Sequence, residues 1–303
     1  MQEGRRGLAL GVAAYAMWGA FPLYWPLLEP GGALEILAHR VVWSLLTMGV
    51  LVVALGRTGH LRAIVADRRV RLLLLVAAVT ITSNWTTYIY GVNSGRVVET
   101  SLGYFVNPLV TVLMGVLVLR ERLRPWQWAA MGIGFTAVCV LTLDYGRPPW
   151  IAIILAFSFG TYGLAKKSAD VGAVESLAFE TAVIAPFALV YLVVLQASGD
   201  GHLTGEGAGH VLLLMSAGLV TAVPLICFGA AATRVSMVSL GLLQYLAPTI
   251  QFVLGLLVFD EAMSPGRWVG FALVWLALVV FTSEALRHRR RQLALAAEAT
   301  TAA

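Results

Sequence analysis

The sequence predicts an all-α polytopic membrane protein, with ten transmembrane helices arranged as two inverted repeats of five. Three observations carry that prediction. The composition is too apolar for a water-facing surface, the basic residues fall almost entirely on one side of the expected spans, and the chain repeats itself at an offset of 140 residues.

Hydrophobic residues make up 59% of the 303 and charged residues only 12%, with a mean hydropathy of +0.83. A soluble domain carries about a quarter charged residues. Here the apolar runs instead reach about 20 residues, the length that crosses about 30 Å of hydrocarbon as a helix. The net charge of +5 is no nucleic-acid signature, because the basic residues sit in short clusters between apolar runs. Cys139 and Cys227 lie inside such runs without CxxC or His-rich spacing, so both are expected as core thiols. The N-terminus has the charge-then-apolar order of a signal peptide, but another span follows within about ten residues, so it reads as the first membrane helix.

Helices are expected near 7–27, 35–55, 70–92, 97–119 and 126–144, then near 149–166, 173–195, 210–232, 236–259 and 267–286. With a cytoplasmic N-terminus, the inner segments collect Arg5 and Arg6, five arginines between 57 and 71, Arg120, Arg122 and Arg124, Lys166 and Lys167, Arg234, and four arginines between 287 and 291. Those are seventeen of the 21 basic residues, against Arg96, Arg147 and Arg267 outside and Arg40 within a span. The positive-inside rule then puts both termini in the cytoplasm and requires an even span count. The longest polar loop, 198–209, falls outside and carries no Lys or Arg.

At an offset of 140, segment 108–128 aligns with 248–268, with seven of 21 positions identical, among them Pro108/Pro248, Glu121/Glu261 and Pro125/Pro265. The same offset aligns Gly32, Ala33, Glu35, Leu37 and Ala38 with Gly172, Ala173, Glu175, Leu177 and Ala178. Each repeat has an odd number of helices, so the two must enter the membrane from opposite sides. The loops agree, with Arg122 and Arg124 after Glu121 but Ala262 and Ser264 after Glu261. Inverted repeats are a recurrent plan of secondary transporters, with the substrate near the midplane. The expected units are 1–145, 149–286 and a cytoplasmic, disordered tail at 287–303.

Several stretches then carry a resemblance: His39-Arg40-Val41-Val42-Trp43-Ser44, Asn84-Trp85, and Glu99-Thr100-Ser101-Leu102-Gly103-Tyr104-Phe105-Val106-Asn107-Pro108 in the first half. The second half adds Ala156-Phe157-Ser158-Phe159-Gly160-Thr161-Tyr162-Gly163 with Lys166-Lys167, Glu180-Thr181, and Leu242-Leu243-Gln244-Tyr245-Leu246-Ala247-Pro248. In order and spacing the chain resembles the EamA branch of the drug/metabolite transporter superfamily, and within it the RarD group, over nearly its whole length. Lys166-Lys167 stands where that group often has Arg-Lys, with the charge unchanged. The resemblance implies two EamA-type five-helix repeats, a DMT-type fold and an inner-membrane permease.

Transport by alternating access needs a polar site that each half can expose in turn. Paired Gly/Pro interruptions at corresponding places are the sequence pointer to it. Pro108 and Pro248 supply the pair, each expected near the middle of its helix, with Asn107, Gln244 and Tyr245 as neutral contacts. The competing reading is a structural kink. Arg40 and Glu180 occupy equivalent positions inside apolar spans, where a charge costs about 2.5–3.5 kcal/mol even on lenient scales. Inversion sets them at different depths, roughly 15 Å apart in a 30 Å core, so no direct ion pair is expected. For Arg40, depth favours Glu99 as carboxylate partner, and Asn84 and Tyr88 share one helix face nearby. The alternative for Arg40 is outward snorkelling or a structural pair. Glu180 is a candidate for proton coupling or cation recognition. His39 is expected to hydrogen-bond between helices, the tryptophans at span ends to anchor the interface, and Glu121 and Glu261 to be structural.

An intramembrane enzyme is the first competing class, but there is no HExxH or GxSxG, and four of the five histidines sit in or beside loops. A scaffold or sensor would leave the inverted repeat and paired prolines without a purpose. No P-loop is present. The expected protein is thus a secondary transporter of a small organic metabolite or drug, and not an enzyme. Its expected partners are a small-molecule substrate and the lipid bilayer, with a homodimer allowed, and no nucleic acid, cofactor or metal.

Overall fold

The computed structural model describes residues 2–120, 123–232, 234–235, 239 and 242–301. The chain is 84% helical, with no strand among the described residues. In order these are α1 (Gln2–Gly19), two 3-10 turns (Phe21–Leu23 and Trp25–Leu28), α2 (Ala33–Ala54), α3 (Thr58–Ala66), α4 (Arg68–Asn93), α5 (Val97–Leu119) and α6 (Pro125–Tyr145). There follow α7 (Trp150–Ala169), α8 (Ala173–Ser198), α9 (Ala208–Ala232), α10 (Leu246–Leu257) and α11 (Pro265–Thr301). Among the described residues seven helices are long and apolar enough to cross a membrane, or eight if α1 and the 3-10 turns form one span bent by 41°. The expected helices at 149–166 and 236–259 correspond to α7, which is not among the seven, and to α10, which has only 12 residues.

Local chemistry sets many of the boundaries. The Asp67 side chain accepts from the Arg69 and Val70 N–H groups at 2.8 and 3.1 Å and caps α4. Pro125 and Pro265 begin α6 and α11, where a missing N–H costs nothing. Gly146 and Gly199 close α6 and α8 at φ of 65° and 84°, a left-handed turn that only glycine takes freely.

Four expectations change. The first helix stops at Gly19 because Pro22 and Pro26 lack the N–H that would continue it, and the chain restarts as 3-10 turns. Pro108 sits inside α5 as expected, but Pro248 lies in the first turn of α10 rather than mid-helix. That position tolerates proline, so the two prolines are not structurally equivalent. The last helix continues to Thr301, through the segment expected to be disordered, over a run of Ala, Leu and Glu that favours helix. Finally, Cys139 is exposed on α6 rather than in the core.

Helices related by the 140-residue offset pack against each other: α2 on α8, α5 on α10 and α6 on α11. In the remaining contacts α1 lies on α9 and α10, just as its counterpart α7 lies on α4 and α5. Polar ties at the helix ends show that the related helices run antiparallel. Glu35 in the first turn of α2 holds His202 beyond the end of α8, and Glu175 in the first turn of α8 holds Arg57 beyond the end of α2. Glu261 after α10 binds the Val98 N–H at the start of α5 at 3.0 and 3.2 Å. Arg124 before α6 meets Glu284, midway along the long α11, at 2.9 Å. At the other end of that pair, Asp144 meets Ser264 at 2.5 Å and Arg267 at 3.1 Å. The outward faces carry bare Phe135, Leu143, Phe187 and Val190, as a surface solvated by hydrocarbon requires.

Candidate functional site

The centre of the bundle is built on α2, whose inner face buries Glu35, His39, Arg40 and Ser44. Arg40 is 3% exposed. Its Nε donates to the Thr221 hydroxyl of α9 at 3.0 Å, and Thr221 in turn donates to the Ala217 carbonyl. The guanidinium carbon lies 3.9 Å from the Trp85 ring centroid, 4.9 Å from Trp25 and 5.8 Å from Phe21. Aromatic faces attract a cation through their quadrupole, and more strongly when water is excluded. Arg40 thus sits in an aromatic box drawn from α4 and the broken end of the first helix.

Glu99 is not its partner. The Glu99 carboxylate binds Arg147 at 2.8 and 3.3 Å and accepts the Ile151 N–H at 3.2 Å. It therefore closes the α6–α7 connection and sits at the positive end of α7. The bound carboxylate raises Arg147 above its ordinary value. The expected Arg40–Glu99 pairing is corrected because a loop arginine beside the start of α7 reaches Glu99 first.

Asn84 is also committed: it donates to the Leu155 carbonyl and the Ser158 hydroxyl at 3.1 and 3.0 Å and accepts from Tyr104 at 3.1 Å. This ties α4, α5 and α7 together. Tyr88, one turn on, is 3% exposed, meets Tyr104 edge-on at 5.7 Å, and its hydroxyl has no partner among the described residues. Asn107 buries its Oδ1 without a donor among the described residues. Tyr245 caps the start of α10 and touches Thr282 at 3.5 Å, while Gln244 is half-buried in the preceding turn.

Glu180 is 1% exposed and bound to Lys166 at 3.0 Å and to the Tyr162 hydroxyl at 3.3 Å. Lys166 also donates to Ser176. The lysine counted as a topology signal therefore neutralises the expected coupling carboxylate. Arg40 and Glu180 form no ion pair. Between α2, α4 and α8 runs a crevice too tight to admit water, lined by Val41, Thr82, Trp85, Glu180, Thr181 and Ile184; its Trp85 ring also touches the Arg40 guanidinium.

The box itself escaped the sequence reading. Tryptophan is considered there only as an interface anchor at span ends, yet Trp25 is fully buried and the rings of Trp25 and Trp85 both face Arg40. The one available signal was Trp85 following Asn84 mid-span. His39, expected to bridge helices, buries Nε2 without a partner among the described residues. Glu121 lies outside the described residues; Glu261 does close a helix start. No group of three or more His, Cys, Asp or Glu is placed to hold a metal ion among the described residues.

Comparison with known proteins adds four findings. Residues 5–143 match the profile of the EamA-like transporter family. A protein RarD of Streptomyces exfoliatus is 56% identical over 95% of this chain and 92% of its own length. An uncharacterized transporter of Bacillus subtilis (strain 168), YojE, is 40% identical over 95% and 97% of the two chains. One solved crystal structure shares the fold with a TM-score of 0.58 at 17% identity, over 93% of this chain and 98% of the other.

Proposed function

The chain belongs to the EamA-like transporter family of the drug/metabolite transporter superfamily, and from that premise we propose a secondary transporter working by alternating access. It spans the inner membrane ten times as two inverted five-helix halves, 1–145 and 149–286, with both termini in the cytoplasm. Its cargo is a small organic metabolite or drug.

The observation that carries this reading is the antiparallel pairing of three offset-related helix pairs, α2 with α8, α5 with α10 and α6 with α11. Inverted halves meeting around a shared centre are the architecture in which one half can rock against the other. The two halves also differ in a useful way: α2 lies along α9 much more closely than its counterpart α8 lies along α4. A symmetric sequence plan held in an asymmetric packing is what one access state of such a transporter requires. In the proposed orientation the closed side is the outer one, where α2 and α9 begin.

Untargeted metabolite profiling of cells lacking and overexpressing the protein tests the reading. A small set of metabolites should shift in opposite directions in the two strains. Profiles that stay the same in both would reject transport.

A further inference from the structure

The charge inventory of the buried centre does not balance. Glu35, Glu99, Glu175 and Glu180 are each 3% exposed or less, and each holds a cationic or basic partner: His202, Arg147, Arg57 and Lys166. Arg40, buried as deeply, has no carboxylate within ion-pair distance among the described residues. Its one hydrogen bond there uses Nε; neither Nη has an acceptor among the described residues, though neither is completely enclosed.

The groups around it are short of acceptors too. Trp25 Nε1, on a ring 4.9 Å from the guanidinium, is buried without a partner. So are the Tyr88 hydroxyl, one turn from Trp85 on α4, and the Ser44 hydroxyl, one turn beyond Arg40 on α2. An indole N–H can only donate, and a guanidinium likewise. A buried donor left unmade costs about 1–3 kcal/mol, and more when charged. Cation–π contacts offset part of the charge but satisfy none of these hydrogens.

We propose that the cargo carries a single carboxylate, received by the Nη edge of Arg40 inside the Phe21–Trp25–Trp85 box with the Tyr88 hydroxyl as a second donor. A carboxylate matches the planar fork of a guanidinium with two parallel hydrogen bonds. Charge balance favours a monoanion: Lys166 is already spent on Glu180, so a phosphate dianion would leave one negative charge without a cation. The aromatic walls suit a mainly apolar remainder; the crevice beside them admits no water in this state, so the remainder takes its place only when another access state widens it. Trp85 both stacks on Arg40 and lines the crevice toward Glu180, which places the carboxylate seat one ring away from that crevice.

This inference rests on the transporter reading, and one experiment separates the two. Purified protein is reconstituted in liposomes loaded with a polar-metabolite extract of the host cells, and mass spectrometry identifies what leaves faster than from protein-free vesicles. The released set should consist mainly of monocarboxylates. Arg40→Gln should slow their release at least tenfold, Arg40→Lys less, and Tyr88→Phe severalfold. Release of neutral or cationic metabolites at rates indifferent to Arg40 would overturn the carboxylate seat and leave transport standing. No release above protein-free vesicles would overturn the transport reading and this inference with it. If Arg40→Gln elutes as aggregate, the charge class moved by the wild type and the Tyr88→Phe rate decide the matter.

Discussion

Arg124 binds Glu284 at 2.9 Å, and the residues 140 positions away from each, Ser264 and Asp144, bind one another at 2.5 Å. Two contacts exchanged by one sequence offset are what a twofold axis between α6 and α11 produces. They lie at opposite ends of the same helix pair, so in the proposed topology they face opposite sides of the membrane. This gives a direct test in a background with Cys139 and Cys227 replaced. The pairs Arg124→Cys/Glu284→Cys and Asp144→Cys/Ser264→Cys should each cross-link within one chain. An impermeant thiol reagent should reach the 144/264 pair in intact cells and the 124/284 pair only after permeabilisation. If both are reached from the same side, the ten-span inverted arrangement is wrong.

The Glu99–Arg147 contact predicts an asymmetric response to mutation. Glu99 is 2% exposed while the Arg147 side chain keeps 34% of its surface. Removing the partner of a buried charge costs about 3–5 kcal/mol, and water around Arg147 reduces that to roughly 1–3 kcal/mol. Arg147→Ala should therefore lower Tm by roughly 3–8 °C. Glu99→Gln should cost less, because the amide oxygen can still accept from Ile151 and the stranded arginine faces water. The double variant should recover most of the loss. Additive losses in thermal unfolding would mean that the contact is not coupled.

How far the sequence reaches is clear from these same residues. Spans such as α2, α4 and α8 were legible because hydrocarbon imposes one composition and one length on any helix that crosses it. The 140-residue offset was legible because matching residues such as Pro125 and Pro265 begin matching helices. The partners of charges were not. Arg147 and Lys166 look like topology signals until the fold brings them to Glu99 and Glu180. Trp25 and Trp85 are 60 positions apart, and no spacing rule joins them around Arg40. Pro248 was misplaced because a proline marks a break without saying which side of it the helix resumes.

Glu261 makes stability depend on pH. Burial pushes its carboxyl from an ordinary 4.5 up to about 7, although the Val98 and Val97 N–H groups and Arg267 pull it down, and Glu99 adds to the rise. A folded value above the unfolded one means that protonation favours the native state. The contribution is then complete below about pH 4.5 and is lost as pH rises through about 7. Thermal unfolding in detergent should show Tm falling by several degrees between pH 5 and pH 8. Glu261→Gln keeps an acceptor for the Val98 N–H and removes the titration, so its profile should be flatter. An unchanged slope in that variant would assign the pH dependence elsewhere.

Gly218 fixes how closely α2 and α9 approach. A Cβ built there would run into the Trp43 carbonyl and the Thr47 hydroxyl of α2, and a carbonyl within a helix cannot move aside as a flexible side-chain tip can. Gly218→Ala therefore has to separate the two helices. The sequence counterpart of Gly218 is Ala78 on α4, which faces no comparable crossing with α8, since that pair packs loosely. The close crossing is thus confined to one half of the molecule, the outer half in the proposed orientation, and Tyr24 reinforces it by donating to the Leu213 carbonyl at 2.8 Å and meeting Ser216 at 2.9 Å. If this seam is the outer gate, wedging it open should shift the population toward outward access. Ser216→Cys would then react with an impermeant thiol reagent severalfold faster when combined with Gly218→Ala, and exchange across the membrane should slow because the outer side cannot close. A variant that loses stability while Ser216→Cys stays equally protected would make Gly218 a packing residue only, and the outer gate would have to lie elsewhere.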